Sequence, residues 1–125
     1  MEGLPIEKLE AVYNSADFAD YIFYEPSFSM NQSEKGSVRQ ILATIASAPA
    51  TMYAACKPRG RVFFQVDGVD VLIADIYLGD PCNYWVFIED DKPAYANLMT
   101  PEGIQYFNNN INQVLEMQRQ AQPGQ

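Results

Sequence analysis

The chain has 125 residues, 48% of them hydrophobic and 13% aromatic, with no histidine and a net charge of −8. That is the length of one domain with ample material for a core, which excludes global disorder. The acidity excludes phosphate-backbone binding, disfavours an anionic membrane, and steers a basic protein partner toward the surface.

No apolar stretch approaches the ~20 residues that cross a bilayer. The start, Met1-Glu2-Gly3-Leu4-Pro5, has neither a basic nor an apolar signal region, so no secretory signal is read and a cytoplasmic chain is expected. Cys56 and Cys82 lack CxxC spacing. Two reduced thiols are the expectation; a disulfide requires the segments carrying them to be neighbours.

Pro5 reads as a first-turn helical proline, followed by Ile6, Leu9, Val12, Tyr13 and Ala16 at helical spacing. Asn14-Ser15 breaks this helix and caps a second short helical piece carrying Phe18, Ala19 and Ile22. Tyr24 to Ser33 reads as irregular, with Pro26 holding Glu25 out of the helical region. Ser37 to Gln40 has the pattern of a capping box, with Ser33 as an alternative start. Val38, Ile41, Leu42, Ile45 and Ala48 then form one helical stripe ending at Pro49.

Thr51 to Cys56 reads as a first strand. Arg61 to Val66, Asp67-Gly68 and Val69 to Tyr77 carry the signature of a hairpin with a two-residue type I′ turn. That turn sets Val66 opposite Val69, Phe64 opposite Val71 and Val62 opposite Ile73, which makes one apolar face. Gln65 then faces Asp70, Phe63 faces Leu72 and Arg61 faces Ala74 on the other side, while Asp75 falls on the apolar face. Leu78 to Asn83 is a turn. Tyr84 to Glu89 is a strand with Trp85 and Phe87 on one side and Tyr84, Val86 and Ile88 on the other. Asp90-Asp91-Lys92-Pro93 is a polar turn before a last strand, Ala94 to Leu98.

Thr100-Pro101-Glu102 supplies a cap, a first-turn proline and an acid at the positive end of a helix dipole. Ile104, Phe107, Ile111, Val114 and Leu115 form its packing stripe, Asn108 to Asn110 lie toward solvent, and Gln118 to Gln125 form a frayed tail. The expected architecture is a single α+β domain over 1–125: an antiparallel β-meander of four to five strands, with N-terminal helices and a C-terminal helix packed on it.

Without histidine there is no Ser-His-Asp or Cys-His catalysis and no imidazole metal site. Lys57-Pro58-Arg59-Gly60 is not a phosphate-cradling loop, Asp67-Gly68-Val69-Asp70 is not an EF-hand, and Glu89-Asp90-Asp91 reads as a solvated turn. No cofactor and no metal are expected. Lys57, Arg59 and Arg61 concentrate three of the eight basic residues; they neutralise nearby acids, guard a strand edge, or contact an anion.

Aromatic residues exceed what a small core absorbs, and Tyr and Trp suit interfaces. The hairpin face with Phe63 and Leu72 among Arg61, Gln65 and Asp70 is half apolar. Helices on the opposite side only would leave it open to a partner; helices on this side would make it core of a three-layer domain. The expected partner surface is therefore Phe63, Leu72, Arg61 and Asp70, joined by Trp85 and Tyr84. The expectation is a non-catalytic protein-binding module: an assembly chaperone, an adaptor or an immunity-type inhibitor. Its partner would be another protein of basic character or a second copy of the chain. The alternative is a small-ligand-binding protein or a carboxylate-dependent enzyme, with a site near Asp75, Tyr77 and Arg61. A mimic of DNA's charge would need its acids on one face, whereas here they alternate with apolar positions. In size and charge the chain is similar to type III secretion chaperones. Their helix–strands–helix–strands–helix order differs from the helix, helix, meander, helix read here, and no family motif is present to carry over.

Overall fold

The computed structural model describes residues 1–121. Helix α1 (Ile6–Ser15) begins one residue later than the sequence suggests, because Pro5 sits at the cap with an extended ψ of 137°. The next segment is a hairpin and not a second helical piece: β1 (Phe18–Tyr24) and β2 (Ser27–Gln32). Phe18, Ala19 and Ile22 fit a helical period, but Ala19, Tyr21 and Phe23 alternate with Asp20, Ile22 and Tyr24, and burial follows the second period. Glu25-Pro26 makes the turn, through a cis peptide bond.

Helix α2 (Lys35–Leu42) is capped at Glu34 without a side-chain hydrogen bond, so the Ser37–Gln40 capping box does not form. The helical stripe runs out after Leu42. The Thr44 hydroxyl and N–H both donate to the Ile41 carbonyl, and the chain turns into β3 (Ile45–Pro49). Thr51 to Cys56 is not a strand. β4 (Gly60–Val66), β5 (Val69–Tyr77), β6 (Tyr84–Glu89) and β7 (Lys92–Met99) form the expected meander, followed by α3 (Pro101–Gln120). All seven strands join one antiparallel sheet in the order β2-β1-β4-β5-β6-β7-β3. The class is α+β as read, but the meander is extended by a hairpin on one side and by β3 on the other.

Asp67 and Gly68 take φ of 50° and 79°, the left-handed pair that a type I′ turn requires. The register matches the sequence reading for Val66–Val69 and Gln65–Asp70, then shifts. A bulge at Val71 sets Phe64 opposite Leu72, Phe63 opposite Ile73 and Arg61 opposite Asp75. From there onward every β5 side chain lies on the face opposite to its expected one. Leu72, Ala74 and Ile76 point to the main core, and Asp75 leaves it.

That core lies between the sheet and the three helices. Val12, Val38, Ile41, Leu42, Phe107 and Ile111 pack on Tyr21, Phe23, Phe64, Trp85 and Phe87. Helix α3 starts as its sequence dictates: the Thr100 hydroxyl accepts from Gly103 N–H at 3.3 Å, with proline in the first turn. A Cβ on Gly103 would stand 2.8 Å from Met99 and Thr44 atoms, so only glycine lets the helix approach this closely. The stripe is buried at Phe107 and Ile111, half-buried at Ile104 and Val114, and ends before Leu115, which is exposed. Asn108 and Asn110 are half-buried, not solvent-facing. Residues 118–120 are helical and not frayed, while the rest of the expected tail, 122–125, lies outside the described residues.

Tyr21 OH donates to Gln32 Oε1 at 2.6 Å, and Gln32 Nε2 donates to Tyr106 OH at 3.1 Å. Burial raises the Tyr21 hydroxyl well above its ordinary value of 10.0, with Tyr106 adding to the effect. The unfolded tyrosine ionises around pH 10, and the folded one only at considerably higher pH. Its contribution is therefore intact below pH 10 and declines above it, by about 1.4 kcal/mol per pH unit. Tyr21→Phe flattens that alkaline limb in urea titrations run at successive pH values; an unchanged slope would place the effect elsewhere.

Candidate interaction face

Strand parity defines the face away from the helices. One row crosses it from β1 to β7: Ile22, Arg61, Asp75, Val86 and Ala96. Beside it run Asp20, Phe63, Ile73 and Ile88 on one flank, and Tyr77, Tyr84 and Leu98 on the other. The face is thus largely apolar, with one ion pair at its middle.

Half of it is covered from within the chain. The segment from Ala50 to Cys56 folds over the β5–β7 half, where Ala50 and Met52 pack with Tyr77, Tyr84, Val86 and Ala96. Tyr77 and Tyr84 stack at 4.6 Å, and the Tyr84 hydroxyl accepts from Tyr53 N–H at 3.3 Å. Cys56 is joined to Cys82, in the turn before β6, by a disulfide with a Cα–Cα distance of 5.9 Å. This corrects the expectation of two reduced thiols: the loop brings Cys56 beside the turn, a proximity that a separation of 26 residues does not reveal.

The β1–β4 half has no such cover among the described residues. Ile22 and Tyr24 are 45% and 48% exposed, and Phe63 and Ile73 are half-buried. Arg61 Nε and Nη2 donate to Asp75 Oδ1 and Oδ2 at 2.7 and 3.3 Å, a two-point pair. The Asp75 carboxylate is mostly shielded, its side chain 13% exposed. The hydrogen bond to Asp75 raises the Arg61 pKa further, and burial followed by the Asp75 charge raises Tyr77. Asp75 therefore does not stand beside apolar walls as a free acid. The bulge at Val71 delivers it to a guanidinium.

Arg59 continues the ladder of β4, accepting from Tyr24 N–H and donating its own N–H to Ile76 O, while its guanidinium donates to the Glu25 carbonyl. With Lys57, Pro58, Tyr24 and Glu25 it lines an open hollow of about 340 Å³ at the end of the face. Of the basic trio, then, Arg61 neutralises an acid and Arg59 buttresses a turn.

The expected partner residues are divided by the structure. Phe63 and Arg61 lie on the face away from the helices, both half-buried. Asp70 is exposed at the hairpin tip, where Gln65 Nε2 donates to it at 2.9 Å. Leu72 is displaced by the bulge to the helix-covered side, against the main core. Trp85 and Tyr84 are 0% and 1% exposed and offer no surface. Trp85 lies edge-on to Phe107 at 5.6 Å, and Tyr84 lies under the disulfide-pinned loop. Ile22 and Leu98 are exposed apolar members of the face that the sequence did not single out, and Tyr24 and Tyr53, part of its aromatic excess, are exposed as well. For Ile22 and Tyr24 the signal was their alternation with Tyr21 and Phe23.

Asp75 is held by Arg61 and both sulfurs are joined, so the open half of the face presents apolar side chains around one ion pair. Among the described residues no three His, Cys, Asp or Glu side chains group to hold a metal ion, and no helix is long and apolar enough to cross a membrane. No protein-family model, curated protein or solved structure matches the chain.

Proposed function

We propose that the chain is a non-catalytic protein-binding module that engages a basic protein through the open half of its sheet. The observation that carries this reading is the uncovered patch of Ile22, Tyr24, Phe63 and Ile73 around the Arg61–Asp75 pair. Exposed and half-buried aromatic and aliphatic residues set around one part-buried ion pair have the make-up of a contact patch, and the net charge of −8 favours a cationic partner.

Within this class, the element order supports an assembly chaperone. It runs helix, two strands, helix, five strands, helix. That is the helix–strands–helix–strands–helix order of the type III secretion chaperones, so the order-based ground for setting that likeness aside falls away. The likeness is one of order, size and charge. The disulfide supports an oxidising compartment, against the cytoplasmic expectation drawn from the absence of a signal region and against the reduced thiols that went with it. The carboxylate-enzyme alternative is weakened by the two-point hold of Arg61 on Asp75.

The test compares wild-type chain with Phe63→Asp and Ile22→Asp as baits, at low and high salt. Both variants should melt within a few degrees of wild type and retain about tenfold less of the basic partner, or lower still. Wild-type retention should fall as salt rises. Equal retention by all three baits would remove this face from the binding site, and unfolding of Phe63→Asp would make that residue core.

A further inference from the structure

The edge strand β2 is open. Among the described residues it pairs with β1 alone, and no strand lies on its outer side. Edge strands are ordinarily guarded by charge, proline or a bulge. β2 has none of these: residues 27–32 read Ser-Phe-Ser-Met-Asn-Gln, in a chain with 16 acidic residues. The opposite edge is guarded, since β3 ends in Pro49 and its register with β7 is irregular.

The backbone groups that face outward from β2 follow from one hydrogen bond. Tyr24 N–H donates to Arg59 O, away from β2. Antiparallel alternation then turns Ile22 and Asp20 toward β4 as well, and directs Phe23, Tyr21 and Ala19 to Phe28, Met30 and Gln32. The N–H and C=O groups of Ser27, Ser29 and Asn31 are left pointing out. None of the turn, loop and cap hydrogen bonds among the described residues reaches them, and all three residues are exposed.

We infer that β2 pairs with β2 of a second copy of this chain, antiparallel about a two-fold axis through Ser29. This register is the one that matches outward groups to outward groups: Ser29 meets Ser29, and Ser27 meets Asn31 in both directions. It also sets Phe28 of each copy opposite Met30 of the other on the helix-covered side, where both residues are half-buried beside the core. A sulfur–aromatic contact and an apolar join result. The charge pattern selects a second copy over a charged segment of another protein. Residues 26–33 carry no charge, so self-pairing places no like charges opposite one another within the strand. Glu25 and Glu34 lie beyond its ends, Glu25 with the Arg59 guanidinium on its carbonyl and Glu34 next to Lys35. Such an interface is isologous and closes at two copies. It also lays the two open faces side by side, with Ile22 and Tyr24 of each copy one strand from the join.

The test is the solution mass of the full chain by sedimentation equilibrium from micromolar to millimolar concentration, with three variants. The wild type should move from one to two chains as concentration rises. Ser29→Lys puts two ammonium groups on the axis and should stay at one chain throughout, with an unchanged melting curve because Ser29 is exposed in the single copy. Ser29→Cys should oxidise to a covalent dimer, since paired Cα atoms ~5.5 Å apart lie within disulfide reach. Ser47→Cys, on the guarded edge, should not. Cys56 and Cys82 are already joined and do not compete. A wild type of one chain at every concentration, a dimer that survives Ser29→Lys, or equal crosslinking through Ser47→Cys would each overturn the inference.

Discussion

Phe64→Ala lowers the stability of the fold by about 3–5 kcal/mol, read as a fall in the urea midpoint at constant slope. Phe64 is 0% exposed and sits mid-sheet on β4, facing Leu72 across the hairpin and Ala19 on β1. Its ring belongs to the cluster that α1, α2 and α3 close over, so truncation leaves a void that three helices and the sheet cannot all collapse into. Phe63→Ala, one residue earlier and on the open face, costs much less because that ring is already half in water. Near-equal losses for the two would mean that both sheet faces are packed alike, and the open-face reading would go with them.

Removing the disulfide by Cys56→Ala with Cys82→Ala lowers stability by about 3–4 kcal/mol. The sulfurs close a loop of 26 residues, and that is the size of the entropy returned to the unfolded chain. The loss in the folded state should be local. The segment from Ala50 to Cys56 loses its pin, while Ala50 N–H still donates to Ala96 O at 3.0 Å. Hydrogen exchange should quicken at Ala50, Cys56 and Tyr53 long before it does in β4 or β5. Uniform quickening across the sheet would instead mean that the staple holds the whole fold.

Much of this structure is legible in the residues. Asp67-Gly68 gives the central hairpin, Tyr84 to Glu89 gives β6 with both its faces, and Thr100-Pro101 gives the start of α3. What is not legible has identifiable causes. Val71 is an inserted residue inside an unbroken run of β-formers, and no periodicity marks which member of such a run is extra. That single residue misplaced Leu72 in the expected partner surface and Asp75 in the alternative site. β1 is apolar on both faces, so its spacing satisfies a helix as well as a strand. β3 continues the helical stripe of α2 through Ile45, and only the turn at Thr44, held by Ile41, separates them. Trp85 and Tyr84 looked like interface residues by type; their burial depends on α3 and on a loop pinned by a bond between distant cysteines. The unguarded edge, in contrast, could have been read directly from the absence of charge between Pro26 and Ser33.

The position of β3 has a consequence for how the chain comes into being. β3 is made before the meander yet pairs with β7, its last strand, and Thr100 N–H closes on Thr44 O. The meander can zip up through neighbouring turns, but β3 must wait until residues 92–99 have left the ribosome. During that interval β3 has no partner strand, and Cys56 remains a thiol until Cys82 arrives. The closing event of folding is therefore the docking of β3, whereas the disulfide can form as soon as Cys82 has been made. A nascent chain halted before β7 is a species for cellular folding factors to hold.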